Sequence, residues 1–576
     1  MKSTKKRMIT LASLVLILGL AMILLAACGG GGGNSGGNGG SNSSGDNSSS
    51  SSSGSSADST ATTSANPDRI VRVCASFPLQ ADPGVGSNAI EAAVQFNLYD
   101  ALVFPDIDGT ILPHVADSWE MSPDGLTYTF QIHPGIKFHD GTELKAEDVA
   151  FSMNRLLTIG EGFAYLYTPY VKDAVATGDY TVEMHMKQTF GPFIASLVRM
   201  AVLNKNLVMA NLADGPYGEF RDYGKQYLLT HDAGSGPYTM VEMQMEEYML
   251  AKRFPDYWQG WSGNNPEYFK PMAVNDPATI RTLMSRRELE ITDEWQSVEN
   301  LQAMAAIDGV TVPNMYTGAI VNLEMNTKKA PTDDIHFRKA LAYLFDYKTA
   351  TTSIYPGTKQ AVGPVSASYA GHDDTLFQYS FDIDKAKTEL AQSKYASQLA
   401  SYPIDIAWSA DVPDEEKLCL LLQQACAQVG ITLNIKKESF ASLIADSANI
   451  DTTSSITIMY PSDSYSEAGA VLNLRYHSAT AGTFQQLEWL QDPKIDAAIE
   501  ASLGETDRDT RLSMYKQIQA DLVDMCPTIW VLEWPEMRAY QSGYLKWPEA
   551  EQALAGGINA PIMGRSVYLR TMQFTN

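Results

Sequence analysis

Side chains able to do chemistry are few and scattered. The 576 residues hold eight histidines and five cysteines. His133 and His139 share one short stretch, with Asp140 beside the second. Imidazole and carboxylate are common metal donors, but Asp140-Gly141 also spells a turn, so the pair reads as local structure. Cys74, Cys419, Cys426 and Cys526 form no C-x-x-C. Cys419 and Cys426 are seven residues apart, about 10 Å along a helix and too far to bond. Buried thiols are the expectation. Gly84-Val85-Gly86-Ser87-Asn88-Ala89 has the spacing of a dinucleotide-binding turn, but it follows Pro83 and not a strand, and that turn works only between a strand and a helix. Past residue 66, G-x-S-x-G, G-x-x-x-x-G-K-[ST] and H-E-x-x-H are all missing. Neither a catalytic constellation nor a cofactor is expected.

The elements that would position any site are easier to read. Leu126, Tyr128, Phe130 and Ile132 alternate with Thr127, Thr129 and Gln131, the period of a strand with one buried face. Ser122-Pro123-Asp124-Gly125 before it predicts a chain reversal. Val149, Ser152, Met153 and Leu156 then fall at helical spacing, with Glu147 and Asp148 in the first turn, where acids favour a helix. Phe337, Ala340, Leu341 and Leu344 mark the buried stripe of another helix. One βαβ unit is legible from residues alone. Ile404, Ile406 and Trp408 form a strand; Leu418, Leu421, Leu422, Ala425 and Val429 line a helix ended by Gly430; Ile431, Leu433 and Ile435 form a second strand. Such strands pair in parallel through a right-handed crossover. No internal repeat is evident.

The ends and the charge bound the cellular context. Lys2, Lys5, Lys6 and Arg7 precede a nearly apolar run from Met8 to Ala27, the layout of a secretory signal. Leu25-Ala26-Ala27-Cys28 resembles a bacterial lipobox, which implies a signal peptide over 1–27 and lipid on Cys28. An uncleaved anchor is the other reading of twenty apolar residues. Residues 28–66 are Gly, Ser, Asn and Thr with almost nothing to bury, and read as a flexible tether. The remaining chain is too long for one core, so two or three domains are expected. Net charge is −25, which argues against a nucleic-acid partner. A second spanning stretch is absent from the sequence.

One run brings these readings together. From Leu112 the chain reads L-P-H-V-A-D-S-W-E-M-S-P-D-G-L-T-Y-T-F-Q-I-H-P-G-I-K-F-H-D-G-T-E-L-K-A-E-D-V. It resembles, without a gap, the signature of the extracellular solute-binding proteins that feed oligopeptide and nickel ABC importers. Gly234-Ser235-Gly236-Pro237-Tyr238 resembles that family's G-T-G-P-Y. Asp334–Lys348 resembles its D-x-R-V-R-Q-A-L helix, and Ser513–Pro535 its closing helix and strand.

The resemblance implies an α/β, periplasmic-binding-protein-like fold: two lobes with mixed sheets, hinge crossovers and an extra domain in the first half. Lobe one would combine 67–110, 230–318 and 527–576. The extra domain would be 111–229, and lobe two 319–526. The implied protein is a monomeric receptor that does no chemistry. It captures peptides in an interlobe cleft and delivers them to a membrane permease and its ATPase. In peptide-binding relatives a carboxylate within W-x-x-D-Y-x-D-P meets the ligand ammonium. The matching stretch here is Tyr460-Pro461-Ser462-Asp463-Ser464-Tyr465-Ser466-Glu467, which implies Asp463 as the anchor beside Tyr460. The family's G-E-I-D appears as Arg287-Glu288-Leu289-Glu290, and Trp295 shortly after is a candidate for the cleft wall. These departures keep a nickel chelate, a sugar or an opine-like compound open as the solute. A lipoprotein sensor or hydrolase is the further alternative.

Overall fold

Turn chemistry and alternation build the first half of the chain as expected. The computed structural model describes residues 66–460 and 464–575. The expected signal segment 1–27, Cys28, the tether up to residue 65 and Asp463 lie outside them. Asn66, the last residue of the expected tether, is buried and donates to the Ile70 carbonyl at 2.7 Å and to Glu290 Oε1 at 2.8 Å.

Three larger sheets stand among the described residues. The first runs in the order Ile70–Cys74, Tyr268–Met272, Tyr248–Arg253, Tyr238–Gln244. Its outer pair is parallel and the rest antiparallel. The second has the order Leu433–Glu438, Ile404–Ser409, Ile456–Met459, Asn314–Met325, Thr528–Met537. Its first three strands are parallel, and the βαβ unit read from residues 404–435 supplies two of them through the helix Glu415–Ala427. The third is an antiparallel sheet in the order Ala116–Met121, Thr127–Ile132, Thr181–Met186, Val171–Gly178. Together these give the expected two-lobe mixed α/β architecture.

The predicted strand spans Thr127–Ile132 and buries Tyr128, Phe130 and Ile132. Leu126 does not join them: it sits at the turn and is 37% exposed. The helix Ala146–Ile159 begins where its acids predicted. Asp148 explains why, since its carboxylate accepts the Lys145 N–H at 2.9 Å and the Lys205 N–H at 3.0 Å. The helix Ile335–Leu344 is capped by Asp334, which accepts from the Phe337 N–H at 2.9 Å. In the helix Glu415–Ala427, Cys419 and Cys426 share the buried stripe with Leu418, Leu422 and Ala425, whereas Leu421 is only half-buried. Cys74 and Cys526 are also buried free thiols.

The third sheet is stitched to the first by two turns. His139, in the F-H-D-G turn, places Nδ1 2.5 Å from Asp232 Oδ1 and Nε2 2.9 Å from the Gly236 carbonyl. Gly234 and Gly236 lie so close to the Leu98 backbone that a Cβ on Gly234 would stand 1.9 Å from the Leu98 carbonyl oxygen. Only glycine permits that approach.

Asn314–Met325 and Thr528–Met537 pair antiparallel along nearly their whole length, from Asn314 opposite Met537 to Glu324 opposite Thr528. The ladder is interrupted between Tyr316 and Ile320. Gly318, inside the gap, has φ +97° and packs against Tyr369 and Pro561. A bulge of this kind bends the strand that carries it. Among the described residues no helix is long and apolar enough to cross a membrane.

Candidate functional site

The parallel strands deliver side chains to one edge. Ile456–Met459 is buried throughout, and the chain leaves it directly at Tyr460. Glu415 opens the helix that follows the neighbouring strand Ile404–Ser409. Both residues therefore emerge at the carboxyl ends of parallel strands, where open α/β sheets usually place ligands.

Tyr460 is held between two tryptophans. Its ring stacks on Trp534 at 4.9 Å and 12°, and meets Trp295 at 5.6 Å and 33°. Trp534 comes from the strand Thr528–Met537 and packs edge-on against buried Tyr355 at 5.2 Å. Trp295 is 42% exposed, and its N–H donates to Asp293 Oδ1 at 2.8 Å. The stack thus has a sealed end and an open end. Beneath it, Glu415 is 1% exposed. Its carboxylate accepts the Ser409 N–H at 2.6 Å and faces the Tyr460 hydroxyl. Burial pushes its pKa up to about 8; the Tyr460 and Ser409 hydrogen bonds pull the other way, and Asp411 adds to the rise. Burial thus favours the protonated form of Glu415. Nearby, the Val298 N–H donates to Asp414 Oδ2 at 3.0 Å, and Lys417 Nζ reaches Glu299 at 2.5 Å and Asp414 at 2.6 Å. These bonds join the segment carrying Trp295 to the helix carrying Glu415.

A second cluster lies between the segments that flank the first and third sheets. Asp100, 2% exposed, accepts from four donors. His114 Nε2 and Tyr257 Oη reach Oδ1 at 2.8 and 2.9 Å, and Ser235 Oγ and Trp258 Nε1 reach Oδ2 at 2.9 and 3.1 Å. Beside it a cavity of about 20 Å³ is lined by Phe96, Tyr99, Asp100, Phe104 and Arg199, among others. Arg199 ends the turn Leu197–Arg199 and donates from Nε to the Ser464 carbonyl at 2.9 Å. Tyr165 Oη bonds the Ser464 hydroxyl at 2.5 Å, and Ser466 Oγ donates to the Gly109 carbonyl at 3.0 Å.

The structure brings Trp295 and Tyr460 together as candidate wall residues. It does not describe Asp463, although its neighbour Ser464 is fixed by Arg199 and Tyr165. His133 and His139 face different carboxylates: His133 Nδ1 lies 2.9 Å from Asp117, and His139 is held by Asp232. The Gly84–Ala89 run is a turn leading into a helix. The Gly84 N–H donates to Asp82, and Asn88 caps the helix Ala89–Leu98 in a reciprocal box with Glu91. Reading the sequence missed Trp534, Glu415, Asp100 and Arg199. For Arg199 a signal existed: it is the lone charge in Leu197-Val198-Arg199-Met200-Ala201-Val202-Leu203.

Two lobes meeting at an aromatic and polar seam define a class, the two-lobed binding proteins that take a small ligand between their halves. Residues 110–483 match the bacterial extracellular solute-binding proteins, family 5 (middle), and the chain belongs to that family. The probable D,D-dipeptide-binding periplasmic protein DdpA of Escherichia coli K12 is 27% identical over 477 residues, 81% of this chain and 88% of the relative. The ABC transporter substrate-binding protein CtaP of Listeria monocytogenes superposes with a TM-score of 0.75 at 20% identity, over 88% of this chain and 99% of its own. NikZ of Campylobacter jejuni, solved with Ni(L-His), gives 0.73 at 16% identity, over 88% and 100%.

Proposed function

We propose that this chain is the lipid-anchored receptor of an ABC importer, capturing short peptides between its lobes and presenting them to the permease and its ATPase. The observation that carries the reading is the Trp295–Tyr460–Trp534 stack. It stands at the carboxyl ends of parallel strands, with one ring open to solvent and one sealed. Aromatic faces grip varied side chains by contact area with little demand on identity, which suits a receptor for many peptides. The DdpA relative is named for a dipeptide, which supports the same class of solute. In this reading Asp463 pairs with the ligand ammonium, and Trp295 and Tyr460 form the wall. Cys28 carries the lipid that follows removal of 1–27, and the stretch from 28 up to the buried Asn66 is the tether. Lobe one combines 67–110, 230–318 and 527–576; 111–229 is the extra domain; 319–526 is lobe two. The receptor works as a monomer and performs no reaction.

Thermal unfolding with a short-peptide library is the test. A ligand at one hundred times its dissociation constant stabilises by about 2.7 kcal/mol if it binds only the folded chain. Peptides should raise the melting temperature, and sugars and nickel–histidine should not. The reverse result favours the second reading, a non-peptide solute. That reading has its own support: the D-Y and D-P pairs of the peptide-binding motif are missing around Asp463.

A further inference from the structure

We propose that Glu324 and Glu488 share one proton, and that this pair is a latch at the foot of the antiparallel pair Asn314–Met325 and Thr528–Met537, closed in acid and released as the solution turns alkaline.

Both carboxyl groups are sealed from solvent, Glu324 at 1% and Glu488 at 0% exposure. Each has one oxygen supplied with a donor. The Leu487 N–H reaches Glu324 Oε2 at 3.1 Å, and Thr528 Oγ1 donates to Glu488 Oε1 at 2.6 Å. The other two oxygens, Glu324 Oε1 and Glu488 Oε2, have no donor among the described residues. The two side chains lie within hydrogen-bonding reach of each other. Two buried carboxylates that meet in this way repel while both are ionised. A proton between them replaces the repulsion with a hydrogen bond, and the pair then titrates as a unit.

The surroundings supply one cation for the two acids. Arg475, on the helix Ala468–Tyr476, faces both and donates from Nη1 to the Gln485 carbonyl at 3.1 Å. Tyr476, the next residue, also faces both, and its hydroxyl accepts the Trp530 Nε1–H at 2.9 Å. The two paired strands add Asn322, Thr528 and Trp530, and the strand Ile456–Met459 sets Thr457 opposite Glu324. None of these four carries a charge. Other buried acids have a cation to themselves, as Asp82 has Arg155 and Glu549 has Arg565. Here one carboxyl is left over, and a buried group without a counter-charge neutralises itself by protonation. Burial pushes both groups up, and the charge of Glu324 pushes Glu488 further.

Position gives the pair its leverage. Glu324 stands opposite Thr528, just past the register shift between Val321 and Asn322. The shared proton ties both strands to Leu487 and Glu488, and the Thr327 N–H adds a bond to the Glu488 carbonyl at 2.7 Å. With both acids ionised, repulsion acts where the ladder is already irregular.

The test follows urea unfolding of the full-length protein from pH 5 to 9, beside Glu324→Gln, Glu488→Gln and the double variant. An amide keeps the shape of the neutral acid and does not ionise. The folded chain holds the proton at a pH where the unfolded chain has lost it, so stability falls as pH rises from the ordinary glutamate range. The wild type should lose stability relative to each single variant with a slope of about one proton near neutrality. The double variant should flatten the curve no more than either single one. Infrared difference spectra, wild type minus variant, should show the carbonyl stretch of a protonated acid at pH 6 and lose it by pH 9. Hydrogen exchange at Leu487 and Thr327 should quicken over the same range more in the wild type than in Glu488→Gln. Parallel stability curves overturn the proposal, and so does a double variant that flattens the curve twice as much, which marks two independent groups. Equal exchange in wild type and variant removes the latch. A melting shift on adding calcium at pH 8, lost in the double variant, overturns it by putting a metal ion where the proton should be. Failure of all three variants to fold overturns it as well, because a neutral pair tolerates neutral replacements.

Discussion

Asp100 and Arg199 line the same small cavity and are buried to the same degree, yet the chain treats them in opposite ways. Asp100 is surrounded by four donors drawn from three separate segments. Among the described residues, Arg199 has one bond to a carbonyl, and Nη2 has none. A charge given every partner it needs holds a fold together. A charge left short of partners costs stability, and folds retain such costs mainly at working sites.

The largest effect that can test this contrast comes from the saturated side. Asp100→Ala strands the donors of His114, Ser235, Tyr257 and Trp258 in a buried setting. It should cost about 3–5 kcal/mol, the range for breaking a buried charged network. Urea unfolding would show a lowered midpoint at unchanged slope. A small loss would mean that saturation does not mark scaffold here, and the contrast with Arg199 would lose its meaning.

A second expectation concerns the stitch at His139. Burial lowers the imidazole pKa, but the Asp232 carboxylate and the Gly236 carbonyl outweigh it, and the net shift is upward. The protonated form is therefore the one the fold favours. Its contribution is complete below the ordinary histidine value of about 6.5 and is lost as pH rises through the raised folded value. Glu415, raised to about 8, makes stability fall in the same direction from its ordinary carboxylate range upward. The difference between wild type and His139→Gln isolates the histidine. Melting temperatures from pH 5 to 9 should converge as pH rises. Parallel curves would show that His139 does not titrate in this window.

The smallest effect on stability belongs to the open end of the aromatic stack. Trp295→Ala should change unfolding free energy by no more than about 0.5 kcal/mol, as for an exposed residue. Peptide affinity should fall by a factor of about 2–10, the worth of one aromatic contact. Loss of stability without loss of affinity would make Trp295 a packing residue.

Local structure was legible because its causes are local. Tyr128, Phe130 and Ile132 alternate, and Asp334 and Asp148 cap or open helices within their own turns. The βαβ unit from Ile404 to Glu438 needs only periodicity and a handedness rule. Leu126 failed because the turn before it consumed one strand position. The site was far less legible. Trp295, Tyr460 and Trp534 are distant in sequence and meet only through sheet order, which periodicity does not encode. The resemblance pointed to Trp295 and Tyr460 but not to Trp534. Glu415 is one of three successive acids at the start of its helix, and nothing local distinguishes it from Asp414 or Glu416. Arg199 was visible as an oddity, a charge within an apolar run, but its meaning depends on the lack of a partner in three dimensions.

The bulged pairing of Asn314–Met325 with Thr528–Met537 has a consequence for how the receptor moves. Both strands belong to one ribbon, side by side, and are not two straps set apart. Two separated straps would let the lobes slide as well as swing. A single ribbon resists sliding through its ladder of hydrogen bonds and is weakest at its two interruptions, around Gly318 and between Val321 and Asn322.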